Sequence, residues 1–137
     1  MANRPRVLVV EDDPALRKVL ALRLTMDGFD VEVAEDGQAG LEAATTHPPD
    51  VILTDLMIPR MGGDGLCRAL RALPAADAGA VPIVLLTAHQ RDATVDRVLD
   101  LGGITFMSKP FDAPTLAGTL RGLAETATSH PGHARAS

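Results

Sequence analysis

The chain has 137 residues, 46% of them apolar, and carries 18 acidic against 13 basic side chains, a net charge of −5. That is one domain's worth of chain with apolar material enough for a core. Its negative balance gains nothing from counterion release, which disfavours direct binding to nucleic acid. One cysteine, Cys67, excludes an internal disulfide and fits a reducing compartment. No apolar run approaches the roughly 20 residues that span a bilayer, and the N-terminus lacks a signal peptide's apolar stretch. The expectation is a cytoplasmic protein without a membrane partner. Phe29, Phe106 and Phe111 are its three aromatic residues, so the core must be aliphatic.

Short apolar runs alternate with helical patterns along the chain. Residues 7–10 are continuously apolar, as in a strand covered on both faces. Asp13-Pro14 then supplies an N-cap and a first-turn proline, and Leu16, Leu20 and Leu24 recur at helical spacing up to Gly28. A weaker strand at 31–34 precedes a short helix marked by Leu41 and Ala44. The run at 51–53 is followed by Leu66, Leu70 and Leu73, and the run at 83–86 by Val95, Val98 and Leu99, with Gly102-Gly103 as a stop. A second weak strand at 104–107 leads to Leu116, Leu120 and Leu123. Five β-α units predict a doubly wound α/β fold, a five-stranded parallel sheet between two helix layers. With one topological switch the strand order is 2-1-3-4-5, the flavodoxin-like arrangement, with the weaker strands near the edges. The folded domain is expected over 1–126, with 127–137 a disordered tail.

Ligands of such sheets bind beyond the carboxyl ends of the strands, beside the switch point. Strand 1 ends in Glu11-Asp12-Asp13, strand 3 in Asp55, strand 4 in Thr87 and strand 5 in Lys109-Pro110. Strand 2 ends in Glu35-Asp36-Gly37, which reads as a turn. Singly, each has a bland explanation: Asp13 caps a helix, Asp55 fits a turn, Thr87 a loop, and Lys109 a solvated surface. Together they place three carboxylates, a hydroxyl and an ammonium in one crevice. Clustered carboxylates repel unless a cation relieves them. Oxygen donors without His or Cys favour magnesium, manganese or calcium over zinc, and few carboxylates with positions open to water and phosphate make magnesium the best fit, with manganese as the alternative. Metal, ammonium and hydroxyl suit a pentavalent phosphoryl group, with Asp55 as nucleophile.

The segments VLVVEDDP, VILTDLMIPRM, VPIVLLTA and FMSKPFD stand in this order along the chain. They closely resemble the receiver domains of two-component response regulators. The resemblance implies a domain that accepts a phosphoryl group on Asp55 from a sensor histidine kinase or histidine phosphotransfer protein. Such a domain catalyses only its own phosphorylation and dephosphorylation. It implies that Asp12 ligates magnesium directly, Glu11 through water, and Met57 through its backbone carbonyl. Thr87 and Phe106 become the switch pair, Lys109 the phosphoryl contact, and the Lys109-Pro110 bond cis. Met57 and His89 flank the phosphoryl group and tune its hydrolysis. Output is expected through a protein partner on the face of helix 4, strand 5 and helix 5.

The chain also departs from the family's pattern. Met61-Gly62-Gly63 stands where Met-Asp-Gly is common, and two glycines should loosen the start of helix 3. Gly102-Gly103-Ile104-Thr105 lacks the acidic residues that help some DNA-binding relatives dimerise. Phe106 replaces a common tyrosine, keeping the rotamer switch without the hydroxyl. His47, His130 and His133 share no metal-ligand spacing, and Cys67 reads as a bystander. Three rivals fit less well. A haloacid-dehalogenase-type hydrolase needs a second acid where Met57 stands. A flavin phosphate would be repelled by Glu11-Asp12-Asp13. A docking scaffold without phosphorylation would not need the intact site.

Overall fold

The computed structural model describes residues 4–129. Its strands are β1 (Arg6–Val10), β2 (Asp30–Ala34), β3 (Val51–Thr54), β4 (Ile83–Thr87) and β5 (Ile104–Ser108). The helices are α1 (Pro14–Met26), α2 (Gly37–Thr46), α3 (Gly63–Arg71), α4 (Ala93–Leu99) and α5 (Ala113–Ser129). A single π-helical turn, Ala75–Gly79, follows α3. All strand pairs are parallel in the order β2-β1-β3-β4-β5, the expected flavodoxin-like sheet with the two weak strands at its edges. α5 runs to Ser129, past the expected limit at Thr126; the rest of the expected tail, 130–137, lies outside the described residues. No helix among the described residues is long and apolar enough to cross a membrane.

Successive strand side chains point to opposite faces, and the continuous apolar runs therefore feed two cores. Leu8, Val10, Ile52, Ile83 and Leu85 pack with Ala44, Leu66, Leu70, Val95 and Val98 from α2, α3 and α4. Val7, Val9, Val51, Leu53, Val84 and Leu86 pack with Leu20, Leu24, Leu116 and Leu120 from α1 and α5, together with Phe29. Each fully buried aliphatic side chain contributes about 1.5–3 kcal/mol, so the strength of the fold lies in the three central strands. The edges are thinner: Val33 on β2 is largely exposed and β5 is only half-buried.

Helix ends follow the local chemistry. The Asp13 carboxylate accepts from the N–H groups of Ala15 (3.0 Å) and Leu16 (3.4 Å), with Pro14 in the first turn. Gly28, at φ +98°, closes α1, and Gly102, at φ +91°, follows α4. The start of α3 differs from its expectation. A Cβ on Gly63 would stand 2.2 Å from the Asp55 carbonyl oxygen, and the Gly63 N–H donates to Leu56 O at 2.9 Å. This glycine serves a close approach: it lets α3 begin pressed against the residues that follow β3.

Candidate functional site

The carboxyl ends of β1, β3 and β5 bring Glu11, Asp55 and Lys109 together. Lys109 Nζ donates to Asp55 Oδ2 at 2.7 Å and to Glu11 Oε1 at 3.2 Å. Both carboxylates are largely out of water, Glu11 4% and Asp55 9% exposed, so the ammonium is their internal counter-ion. The remaining oxygens have backbone partners. The Asp13 N–H donates to Glu11 Oε2 (3.2 Å), and the Met57 N–H donates to Asp55 Oδ1 (3.2 Å). Burial pushes the Glu11 carboxyl above its usual range; the Asp13 N–H and Lys109 oppose this without cancelling it. Burial would lower Lys109, but its bonds to Asp55 and Glu11, and their charges, hold the ammonium above its usual value. The arrangement favours a charged lysine.

Asp12 does not join this group. It is exposed, and no three acidic, histidine or cysteine side chains among the described residues gather closely enough to hold a metal ion. The expected convergence of three carboxylates is thus two inward carboxylates and one at the surface. Arg17 Nη1 fixes the turn that separates them by donating to Glu11 O at 2.9 Å.

Thr87 is buried at the end of β4, and its Oγ1 accepts from the His89 N–H at 3.1 Å. The Lys109 N–H donates to Thr87 O at 2.9 Å, tying the β4 and β5 ends together. Phe106 is half-buried opposite Leu85 and packs against the α2–α4 core. The Lys109-Pro110 bond is cis. Met57 extends into solvent, 64% exposed. His89 Nε2 lies 2.7 Å from Asp92 Oδ2, and the other Asp92 oxygen caps α4. His47 ends α2 at the surface; His130 and His133 lie outside the described residues. Cys67 is fully buried, and burial pushes its thiol up to about 12, away from any reactive role.

Sequence reasoning missed one pair. Asp36, read as a turn residue, is a buried carboxylate that caps α2 through Ala39 N (2.8 Å) and holds Arg60 Nη2 at 2.7 Å. The bond to Ala39 N and then the Arg60 guanidinium hold its carboxyl below the usual range. Asp-Gly before a helix signals the cap, but nothing local signals a partner 24 residues away.

The chain is similar to known proteins over most of its length. The family model of the response regulator receiver domain matches residues 7–121. The DNA-binding response regulator MtrA of Mycolicibacterium smegmatis is 45% identical over 120 residues, 86% of this chain and 50% of MtrA. The transcriptional regulatory protein CseB of Streptomyces avermitilis is 38% identical over 121 residues, 88% of this chain and 49% of CseB. Among solved structures, the chemotaxis response regulator CheY4 of Vibrio cholerae superposes with a TM-score of 0.79 at 29% identity, covering 88% of this chain and 99% of CheY4. The chain belongs to the receiver-domain family of two-component response regulators.

The chain spans about half the length of MtrA and CseB. This overturns the expected output, a protein partner on the α4–β5–α5 face with nucleic acid excluded. MtrA is a DNA-binding regulator matched here across one half. The charge of that half carries no information on what the rest of such a protein touches, so the exclusion drawn from net charge does not stand.

Proposed function

We propose that this receiver accepts a phosphoryl group on Asp55 from a phosphohistidine of a two-component donor. The observation that carries the reading is the Lys109 bridge between the two buried carboxylates at the crevice floor. In the transfer, an Asp55 carboxylate oxygen attacks phosphorus and forms an acyl-phosphate bond. The donor's P–N bond breaks, and the electron pair stays on the imidazole nitrogen, which takes up a proton. Lys109 then has phosphoryl oxygens to neutralise as well as the Glu11 carboxylate. The Thr87 hydroxyl is available to donate to another of those oxygens.

The donor set fits magnesium, which takes one or two carboxylates and keeps several waters, so three converging acids are not required. Asp12, Asp55, the Met57 carbonyl and, through water, Glu11 would hold it. When bound, it supplies charge neutralisation to the developing phosphoryl oxygens. Asp12 stands at the rim, where its carboxylate can turn inward without being desolvated beforehand.

The switch follows from differential stabilisation. A phosphoryl group adds about −1.5 to −2 of charge beside Thr87. Drawing the hydroxyl towards it pulls on the loop that His89 N anchors, and frees space for the half-buried Phe106 beside β4. The DNA-binding name of MtrA supports a transcriptional output for the switched state. Genomic fragments captured by the full-length protein, with and without phosphorylation, test that output.

The phosphoryl chemistry is tested with a small acyl-phosphate donor and magnesium, followed by borohydride trapping and mass spectrometry. Label should map to Asp55 and vanish in Asp55→Asn; wild-type labelling of Asp55→Asn would refute the assignment. Thr87→Ala should still accept the group yet lose the amide shifts around Phe106 and α4 that a beryllofluoride mimic induces in wild type. Shifts of equal size would disprove the coupling.

A further inference from the structure

We propose that the Asp36–Arg60 ion pair is a positioning device for the acceptor site, holding the β3–α3 loop against α2 so that the Met57 backbone stays fixed beside the Asp55 carboxylate. The inference rests on Asp55 as acceptor, and it names residues outside the crevice.

The loop, residues 55–62, leaves the acceptor directly. At its near end the Met57 N–H holds Asp55 Oδ1. At its far end the loop is stitched to the start of α2. The Gly37 N–H donates to Pro59 O (3.2 Å) and the Gln38 N–H to Arg60 O (2.9 Å). Arg60 Nε and Nη2 both meet Asp36 Oδ2, at 2.8 and 2.7 Å. The backbones touch so closely that a Cβ at Gly37 would stand 1.7 Å from Met61 O. Between these anchor points the chain takes an unusual path. Arg60 (φ +46°) and Met61 (φ +75°) are successive non-glycine residues in the left-handed region. Such residues persist only where their surroundings over-determine them.

The ion pair supplies that constraint in an asymmetric way. The Asp36 side chain is 5% exposed and that of Arg60 70% exposed. The carboxylate is therefore a fixed, desolvated post set by the α2 cap, and the guanidinium is the movable arm. Arg68–Asp64 within α3 joins neighbours one turn apart and can constrain no loop, and Arg6, with Asp30 and Glu32, joins the already paired strands β1 and β2. Arg60–Asp36 joins the β2 and β3 ends across 24 residues. A two-nitrogen grip of a guanidinium also fixes direction, which an ammonium does not.

The test uses the full chain with Arg60→Gly, which tolerates the left-handed backbone but removes the arm, and Arg60→Lys, which keeps the charge. Amide exchange followed by NMR, with no phosphoryl donor, is the first measurement. Exchange at Met57 and Gly63 should quicken about tenfold in Arg60→Gly while the β1 amides keep their protection. Labelling of Asp55 by an acyl-phosphate donor is the second. The maximal rate should fall about 10- to 100-fold, the range seen when supports of a site's ligands are removed. The half-saturating donor concentration should stay the same, and Arg60→Lys should fall between. Unchanged Met57 exchange in Arg60→Gly overturns the proposal. So does a loss of protection spread evenly over the sheet, which would mean general destabilisation. Should wild type take no label at Asp55, the acceptor reading falls, and the exchange measurement alone decides the positioning.

Discussion

Replacing Gly63 with alanine forces a methyl group into the backbone that follows Asp55. The new Cβ would lie 2.2 Å from the Asp55 carbonyl oxygen and 2.7 Å from Leu56 Cα, whereas ordinary contact begins at 3.4 Å. Going from 2.2 to 3.4 Å requires a shift of about 1.2 Å. No side-chain rotation can absorb it, because the obstacle is main chain at the end of β3, held by Asp55 N–H to Val10 O and Gly63 N–H to Leu56 O. Overpacking of this kind costs about 1–3 kcal/mol, and a backbone obstacle puts it at the upper end. Alanine's better helix propensity returns at most about 1 kcal/mol, leaving a net loss of about 1–2 kcal/mol. Gly118 is the matched control: it is exposed in α5, and an added Cβ meets nothing within 4 Å. There the same substitution should stabilise by about 0.5–1 kcal/mol. Urea unfolding of the two variants and wild type should move the midpoints in opposite directions at constant slope. Labelling of Asp55 should fall up to about 100-fold in Gly63→Ala, as expected for a 1 Å displacement, and be unchanged in Gly118→Ala. A Gly63→Ala protein as stable and as readily labelled as wild type would refute this account of the α3 start.

Three further outcomes follow from the charges. Lys109→Met leaves Glu11 and Asp55 without their counter-ion. Removing one partner of a fully buried pair costs about 3–5 kcal/mol, and the partial exposure of Lys109 reduces that to about 1–3 kcal/mol by urea unfolding. The Ala39 N–H and the Arg60 guanidinium hold the folded pKa of Asp36 below the usual carboxylate range, so its stabilisation is present above the unfolded pKa and lost as pH falls through the folded one. Melting temperature measured from about pH 5 downward should therefore fall less steeply in Asp36→Asn than in wild type. With the Cys67 thiol pushed up to about 12, native alkylation at pH 8 should be negligible until denaturant exposes it; rapid native labelling would contradict its burial.

How much of this was legible in the sequence depended on the range of each interaction. The apolar runs of β1, β3 and β4 read as strands because both faces of each are covered, and Asp13-Pro14 read as a helix start because cap and proline are adjacent. The chemistry at the strand ends was legible once the strand order was known, since order alone decides that Glu11, Asp55 and Lys109 become neighbours. The orientation of Asp12 was not. Residues 11 and 12 follow β1 in succession and diverge, one into the crevice and one to solvent, a choice set by the turn that Arg17 holds. The Asp36–Arg60 pair was invisible for another reason: neither residue has a sequence neighbour that requires the other. The tight start of α3 was misread because a glycine pair looks alike whether it serves flexibility or close approach. Net charge misled about output, since it describes the receiver and not what a receiver controls.

The site's charge balance says how such a domain can wait without acting. Two buried carboxylates and one ammonium leave a single excess negative charge at the crevice floor, with both Asp55 oxygens engaged, one by Lys109 and one by the Met57 N–H. In the proposed transfer, the attacking oxygen must give up one of these partners. The Lys109 contact can be re-formed to the incoming group, because its ammonium also holds Glu11 and need not leave the crevice. The Met57 contact cannot be re-formed so easily, because its N–H belongs to a loop fixed at Asp36. This asymmetry favours Oδ2 as the oxygen that takes the phosphoryl group, leaving Oδ1 on the loop as the hinge about which the rest of the site adjusts. A loop that slackened would release Oδ1 as well and remove that choice, which is why the support behind the loop belongs to the proposed chemistry as much as the lysine in front of it.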